Sequence, residues 1–402
     1  MEYRRPQFET LSKRLQEPRR WIQVVIGPRQ VGKTTLVNQV LREYSAPYEF
    51  HSGDAVGSEQ DSAFWLRNVW RNARLSMDAK RSDRYLLVID EIHKIKNWSE
   101  AVKAEWDRDS RENRNLCVVL LGSSRMLLQK GLTESLTGRY ELIRLSHWTY
   151  AEMRTAFGFS LNQFIYFGGY PGPASLIVSD LDEVRWRFYV KNALIAPTIN
   201  NDVLMNAGIA KPELLRRLFS LGCAYSGELL SLTKIQGQLQ DAGNVTTLAG
   251  YLTLLSQNEL LTGLQKYAGD AARKYASIPK FMVHNTALAN VQKEHSFLES
   301  QSDASLWGRC VENAVGAYLL TMSDQRDFKV MYWRERSAEV DFVLQRGGKI
   351  IALEVKSGKK TSYSGLAQFE KNFCPLHSIV VGTGGISLEN FLLTDPVNWF
   401  EI

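Results

Sequence analysis

The sequence contains few cysteines, and they are widely separated. The 402-residue chain has four, with no C-x-x-C pair among them: Cys117, Cys223, Cys310 and Cys374. Such spacing does not predict a disulfide framework or a cysteine-based zinc site, and it favours reduced cysteines in a cytosolic protein. The six histidines are equally scattered and show no spacing typical of metal ligands.

Long apolar runs are also absent from the sequence. No stretch of about 18 apolar residues occurs, so we expect no membrane-spanning helix. Residues 1–20 are rich in Arg and Glu and lack the apolar segment of a signal peptide, which favours a cytoplasmic protein. The length of the chain allows about two to four globular domains.

Positive charge is concentrated in the first part of the chain. Residues 1–150 carry 25 Lys and Arg against 19 Asp and Glu, which accounts for the whole net charge of +6. A modest basic excess is compatible with a nucleic-acid partner but does not by itself establish one.

Apolar runs alternate with helix-like segments in the first third of the chain. Three of these runs, at 21–26, 85–89 and 116–121, are short and continuous, and each is followed by glycine or aspartate. Such runs are typical of a parallel sheet covered by helices on both faces, in which ligands bind beyond the carboxyl ends of the strands. We therefore predict an α/β domain with a ligand site at that edge.

The segment after the first predicted strand fits the phosphate-loop pattern G-x-x-x-x-G-K-[ST]. Its glycines let main-chain amides converge on phosphates, and the helix that follows contributes the positive end of its dipole. The Lys33 ammonium should reach the β- and γ-phosphates, and the Thr34 hydroxyl should bind Mg²⁺. We predict ATP and Mg²⁺ as cofactors and expect nucleotide contacts from Gly27, Pro28, Arg29, Gln30, Val31, Gly32, Lys33, Thr34 and Thr35.

Polar residues after the next two strands complete the predicted hydrolytic site. Asp90 would hold Mg²⁺, mainly through water, and Glu91 would orient or deprotonate the attacking water. After the third strand, either Ser123 or Ser124 would sense the γ-phosphate through its hydroxyl, and an ordinary turn is the alternative.

Arg139 is a candidate arginine finger. A guanidinium in that role stabilises the charge of the transition state, often from a neighbouring subunit. A surface salt bridge is the alternative for Arg139, and Arg125 is the competing finger.

At these motifs the chain resembles a known family. The runs GPRQVGKTT, YLLVIDEIHKIKNW, LLGSS and ESLTGR are similar to those of AAA+-type ATPases of bacteria and archaea with a C-terminal restriction-endonuclease-like domain. FGGYP at 167–171, TLAGYLTLL at 247–255 and PKF at 279–281 extend the resemblance. At 285–288 the chain has Asn-Thr-Ala-Leu, where relatives usually have an Asp-Thr-Gly-Leu type stretch.

The resemblance implies three parts of the chain. They are a P-loop NTPase core with a parallel sheet at 1–155, a helical lid and winged-helix region at 156–294, and an α/β restriction-endonuclease-like domain at 295–402. It also implies DNA as a partner and a homo-oligomer such as a ring.

The predicted helix at 245–257, capped by Asn244, is where a winged helix would contact the major groove. It contains no Lys or Arg, although helices that dock on phosphates usually bring cations. A protein-contact or packing module is therefore an alternative. DNA contact would then fall to the segment that follows, through Lys266, Arg273 and Lys274.

A strand hairpin is predicted near the end of the chain, at 339–356. Because side chains alternate along a strand, Glu339 and Asp341 share one face of the first strand. Glu354 and Lys356 share one face of the second. Converging carboxylates repel each other unless a cation lies between them, and a divalent ion there can activate water for phosphodiester attack.

The spacing of Asp341 from Glu354 and Lys356 resembles the PD-(D/E)xK nuclease signature. Glu312, on a preceding predicted helix, resembles the additional acidic residue of that fold. The resemblance implies that Glu312, Asp341 and Glu354 hold a metal ion. Lys356 would orient the attacking water or stabilise charge on the phosphate.

Two functions follow from the sequence. The first is an ATP-driven DNA-processing motor whose metal-dependent nuclease domain cuts with Asp341, Glu354 and Lys356. The second is an ATP-controlled oligomeric switch or scaffold whose C-terminal domain binds DNA or a protein partner without cleavage. The intact acidic set favours the first, and the absence of basic residues at 245–257 favours the second.

Overall fold

A computed structural model describes residues 2–56, 62–123, 132, 135–204, 209–238, 244–268, 277–358 and 364–401. The chain divides into two compact units, residues 1–145 and 146–402. Four residues considered above for sensor, finger or DNA-contact roles lie outside the described residues: Ser124, Arg125, Arg273 and Lys274.

The first unit is built around one parallel sheet. Its main elements are α1 (Gln7–Gln16), β1 (Ile22–Ile26), α2 (Lys33–Glu43), β2 (Tyr48–Ser52), α3 (Ser62–Ala79), β3 (Tyr85–Asp90), α4 (Trp98–Arg111), β4 (Leu116–Gly122) and β5 (Tyr140–Arg144). The strands are parallel and lie in the order β2-β3-β4-β1-β5. Every residue of β1, β3 and β4 is buried, so the predicted parallel sheet with both faces covered is confirmed.

A buried ionic network ties α3 to α4 on one face of this sheet. Trp70 of α3 and Trp106 of α4 belong to one apolar core with alternate residues of the strands. Asp109 is fully buried and accepts hydrogen bonds from Trp70 Nε1 at 2.7 Å and from Arg74 Nε at 2.6 Å. Because a buried charge is tolerated only when it is paired and hydrogen-bonded, this network fixes the two helices against each other.

The second unit begins with helices. They are α5 (Tyr150–Phe157), α6 (Leu161–Phe167), α7 (Ala174–Val178), α8 (Glu183–Tyr189), α9 (Pro212–Ala224), α10 (Leu232–Gln238) and α11 (Val245–Gln257). The helix predicted at 245–257 is present, and the Asn244 side chain caps it by accepting a main-chain hydrogen bond at 2.7 Å. After α8 the chain continues as a π-helix over Val190–Ile195.

A short strand pair and three helices follow. The elements are β6 (Leu261–Leu264), β7 (Lys280–Val283), α12 (Thr286–Asn290), α13 (Phe297–Ser302) and the long helix α14 (Ala304–Arg326). β6 and β7 pair in the antiparallel direction. Among the described helices, none combines the length and the apolar character needed to cross a membrane.

The end of the chain forms a mixed sheet. Its elements are β8 (Lys329–Glu335), β9 (Ala338–Arg346), β10 (Lys349–Lys356), α15 (Ser364–Phe373), β11 (His377–Gly382) and α16 (Leu388–Leu393). The strand order is β11-β10-β9-β8, with β9 and β10 forming the predicted antiparallel hairpin. Residues 350–353 are all buried, so both faces of β10 are covered before the strand reaches Glu354.

Candidate ATP site and carboxylate cluster

The phosphate-loop segment connects the end of β1 to the start of α2. Gly27 is packed against the main chain after β5, where an added Cβ atom would lie 1.9 Å from the Leu145 carbonyl oxygen. Gly32 has a φ of 91°, in the left-handed region that favours glycine. The backbone therefore requires both glycines of the pattern.

Lys33 is buried and points back into the loop. Its Nζ donates hydrogen bonds to the carbonyl oxygens of Gly27 and Pro28 at 2.9 and 2.8 Å. Arg5, which precedes α1, supports the loop by donating to the Val31 carbonyl oxygen at 3.2 Å. The sequence did not predict this support, because no local pattern marks a contact between residues so far apart. The other predicted nucleotide contacts lie on the loop or in the first turn of α2: Arg29, Gln30 and Thr35.

The two side chains predicted to bind Mg²⁺ in this unit lie next to each other. Thr34 Oγ1 donates a hydrogen bond of 2.7 Å to Asp90 Oδ2 at the end of β3. Asp90 is buried, and its Oδ1 accepts a hydrogen bond from the Glu91 main-chain N–H at 2.8 Å. A hydroxyl beside a carboxylate, next to a phosphate loop, is an oxygen set that suits Mg²⁺.

Glu91, the predicted base, contacts Ser123, one of the two predicted sensors. Its Oε2 accepts a hydrogen bond from Ser123 Oγ at 3.2 Å and lies 3.3 Å from His93 Nδ1. Burial raises the pKa of the Glu91 carboxyl, and the nearby charge of Lys33 opposes this rise. His93 was not predicted as part of the site, because a single histidine after a strand carries no distinctive pattern.

Arg139 and the phosphate loop lie at opposite ends of the parallel strands. Because Ile22 pairs with Tyr140 in parallel strands, Arg139 precedes the amino end of β5, whereas the phosphate loop follows the carboxyl end of β1. Two nitrogens of Arg139 donate to the Asp107 carboxylate at 2.8 and 3.0 Å, and this pairing lowers the pKa of Asp107. The fold therefore does not bring Arg139 to the phosphate loop of its own chain.

The predicted acidic residues of the second unit converge around the β9–β10 hairpin. Asp341 Oδ2 accepts a hydrogen bond of 2.8 Å from the Val355 N–H on the neighbouring strand. Lys356 forms an ion pair with Glu354 two residues before it. Glu312 reaches the same cluster from α14.

A buried lysine that the sequence analysis did not assign to the site contacts this cluster. Lys280, in β7, is only 1% exposed. Its Nζ lies 2.7 Å from Glu312 Oε1, 3.6 Å from Glu339 Oε1 and 3.7 Å from Asp341 Oδ1. The available signal was a lysine inside a short, otherwise apolar strand, but no spacing in the sequence connects that strand to the hairpin.

Burial dominates the electrostatics of two of these carboxyl groups. It raises the pKa of Glu312 and of Glu354 to about 7; Lys280 opposes the rise at Glu312, and Asp341 adds to it at Glu354. Within the described ranges, no three His, Cys, Asp or Glu side chains are already arranged as metal ligands. The expected three-carboxylate metal site is thus not preformed, because the Lys280 ammonium contacts both Glu312 and Asp341.

Family models match three parts of the chain. Residues 19–154 match a family model described as an AAA domain. This segment is an AAA+-type P-loop ATPase domain. Residues 158–297 and 307–390 match two further families, DUF8612 and DUF4143, each described only as a domain of unknown function. No curated protein matches the chain.

Two solved structures that are similar to the chain have low sequence identity and low TM-scores. The Aeropyrum pernix ORC1 protein in complex with DNA is 13% identical, with a TM-score of 0.32, and the alignment covers 74% of this chain and 94% of that one. A variant of Thermotoga maritima RuvB is 19% identical, with a TM-score of 0.33 and coverages of 64% and 85%. Both TM-scores are low, so the ATPase assignment rests on the family match and the phosphate-loop geometry.

Proposed function

We propose that the ATPase domain binds ATP with Mg²⁺ through residues 27–35 and hydrolyses it. The observation that carries this proposal is the 2.7 Å hydrogen bond between Thr34 and Asp90 beside the phosphate loop. Thr34 and Asp90 would hold the Mg²⁺, which neutralises phosphate charge when bound. Lys33 would exchange the carbonyl oxygens of its own loop for phosphate oxygens.

Glu91 and Ser123 would complete the reaction site. Glu91 would orient or deprotonate the water that attacks the γ-phosphate. Ser123 donates to Glu91 in this structure. It would donate instead to a γ-phosphate oxygen when ATP is bound, and this exchange would release the Glu91 carboxylate to contact water.

Replacement of Glu91 tests this assignment. Glu91→Gln is expected to lower ATP turnover by about 100-fold or more and to preserve ATP binding, because it removes the base but keeps the shape. Lys33→Ala should lower both ATP turnover and ATP affinity. Phosphate release measures turnover, and a fluorescent ATP analogue measures binding. Glu100→Gln, on the exposed side of α4, is the matched control. Unchanged ATP turnover in Glu91→Gln would contradict the proposal that Glu91 orients or deprotonates the attacking water.

We further propose that the chain acts on DNA through a metal-dependent, nuclease-like second unit. This proposal is supported by the convergence of Asp341 and Glu354 on paired strands, with Lys356 beside Glu354. Asp341 and Glu354 would hold a divalent ion, which activates water for phosphodiester attack when bound. Lys356 would stabilise charge on the phosphate.

A second candidate is an ATP-controlled oligomeric switch that binds DNA or a protein partner without cleavage. It is favoured by the position of Lys280, which already supplies positive charge among the carboxylates. The absence of Lys and Arg from α11 also suits a protein contact better than a phosphate contact.

Incubation with DNA separates the two candidates. Linear, supercoiled and branched DNA would be incubated with the full chain and Mg²⁺ or Mn²⁺, and products would be separated on gels. The nuclease proposal expects cleavage that Asp341→Asn abolishes, with ATP turnover retained. Glu370→Gln, on the exposed side of α15, is the control. DNA that stays intact with either metal but stimulates ATP turnover would support the switch instead.

A further inference from the structure

Lys280 reaches the carboxylate cluster from outside the hairpin that supplies most of it. The lysine belongs to β7, which pairs with β6 and not with the C-terminal sheet. Its ammonium makes a close ion pair with Glu312 and lies within 4 Å of carboxylate oxygens of Glu339 and Asp341. Because burial of an unpaired ammonium is very unfavourable, these acids are what allow Lys280 to be buried.

The cluster retains negative charge after its lysines are counted. Four carboxylates face two ammonium groups, Lys280 and Lys356, and the Arg334 guanidinium 3.7 Å from Glu339, which leaves a formal charge of −1. Glu354 is 8% exposed, and its Oε2 atom is buried without a hydrogen-bond donor among the described residues. The charge and this oxygen both fit one divalent cation, and Mg²⁺ is commonly held by one or two carboxylates.

We propose that Lys280 is a resident cation that limits the cluster to one divalent ion, held by Asp341 and Glu354. The ammonium neutralises Glu312 and the Oδ1 side of Asp341, where a second ion of a two-metal site would otherwise bind. Lys280 is therefore a positioning residue, which acts through Glu312 and Asp341. This inference rests on the proposed metal-dependent function of the second unit.

Manganese binding to the full chain tests the inference. All variants would carry Asp90→Asn, so that the ATPase domain contributes no site, and free Mn²⁺ would be followed by electron paramagnetic resonance without nucleotide or DNA. We expect one Mn²⁺ per chain with Lys280 present and two in Lys280→Met. The double variant Lys280→Met with Glu312→Gln should again bind one, because the formal charge of its cluster returns to that of the unchanged chain. Lys329→Met, at an exposed position of β8, should bind one.

Thermal unfolding provides a second readout that needs no activity. Without metal, Lys280→Met should lower the melting temperature by roughly 10 °C, because it leaves buried carboxylates unpaired. Mn²⁺ should restore most of the lost melting temperature. The melting temperature of the double variant should fall much less than that of Lys280→Met. If Lys280→Met does not fold without metal, we expect Mn²⁺ to restore its folding.

Three outcomes of the Mn²⁺ titration would overturn the inference. They are two Mn²⁺ ions bound with Lys280 present, no Mn²⁺ bound with Lys280 present, and a Lys280→Met chain that binds one ion with unchanged affinity. The Lys280→Met chain could also be unfolded while the double variant is folded. If Mn²⁺ then fails to restore the folding of Lys280→Met, the inference is equally contradicted. Absence of DNA cleavage by a chain that binds one Mn²⁺ would instead reject only the nuclease proposal.

Discussion

Gly27 shows how closely one residue of the phosphate loop is constrained. The Leu145 carbonyl oxygen occupies the space where any side chain would begin. Gly27→Ala must therefore displace the loop, and we expect ATP affinity to fall by roughly tenfold or more, as strain of a few kcal/mol implies. Titration with a fluorescent ATP analogue measures the change.

A second glycine supplies the control for this prediction. Gly250 lies on the exposed side of α11, and among the described residues no atom beyond its chain neighbours and its own helix backbone lies within 4 Å of an added Cβ. Gly250→Ala should leave ATP affinity unchanged and slightly stabilise its helix. Equal ATP affinity in Gly27→Ala and the unchanged chain would mean that the loop does not bind the phosphates in this conformation.

At the residue scale, the sequence predicted the residues whose chemistry is local. Lys33 and Thr34 belong to one short pattern, and Asp90 follows a recognisable strand, so spacing alone was enough to propose them as site residues. His93 and Lys280 were missed because their importance depends on neighbours that are distant in sequence. A lysine in an apolar strand is ambiguous until its buried acidic partners are known.

At the scale of elements, the Asp109 network that joins α3 to α4 should contribute strongly to stability. Asp109→Ala leaves the Arg74 charge and the Trp70 N–H without their buried acceptor. We expect a loss of about 3 kcal/mol, at the lower end for a broken buried ion pair, because Arg74 also contacts Glu105. Urea unfolding of the full chain, followed by tryptophan fluorescence, measures it.

An exposed ion pair on the same helix is the comparison. Asp78 of α3 pairs with Arg114 at the surface, with 56% of the Asp78 side chain exposed. Asp78→Ala should cost less than about 1 kcal/mol. Similar losses in the two variants would show that the buried network does not hold the helices together.

Element boundaries were predictable where hydrophobic pattern alone decides them. The strands β1, β3 and β4 are continuous apolar runs and were found within a residue or two. The change from α to π geometry at Val190–Ile195 was not predicted, because the sequence keeps helical apolar spacing through the segment. The convergence of β7 on the hairpin was also missed, since pairing between distant strands leaves no local signal.

At the scale of the whole molecule, the position of Arg139 means that the predicted arginine-finger role could be exercised only at the site of another subunit. It lies at the sheet edge opposite its own phosphate loop, where it pairs with Asp107. If Arg139 completes a neighbour's site, mixing Arg139→Ala with Lys33→Ala protein should restore part of the ATP turnover that each lacks. Phosphate release across a series of mixing ratios measures the recovery.

Recovery of ATP turnover across the mixing ratios decides whether Arg139 acts between subunits. Recovery requires that an intact loop from one subunit meets an intact Arg139 from another. Asp107→Asn gives a further check, because it loosens the guanidinium without removing it and should reduce turnover less than Arg139→Ala. No recovery at any ratio would leave the surface ion pair with Asp107 as the role of Arg139.

The origin of Lys280 in β7 has a consequence for how this protein can be divided or recombined. A fragment that begins at residue 295 would keep the acids of α14 and the hairpin but lose the buried base that balances them. The boundary predicted at residue 295 therefore divides a charge cluster that lies within one compact unit, residues 146–402. We expect exchange of the last segment between homologues to keep the charge balance only when the receiving chain has a cationic side chain at the position of Lys280.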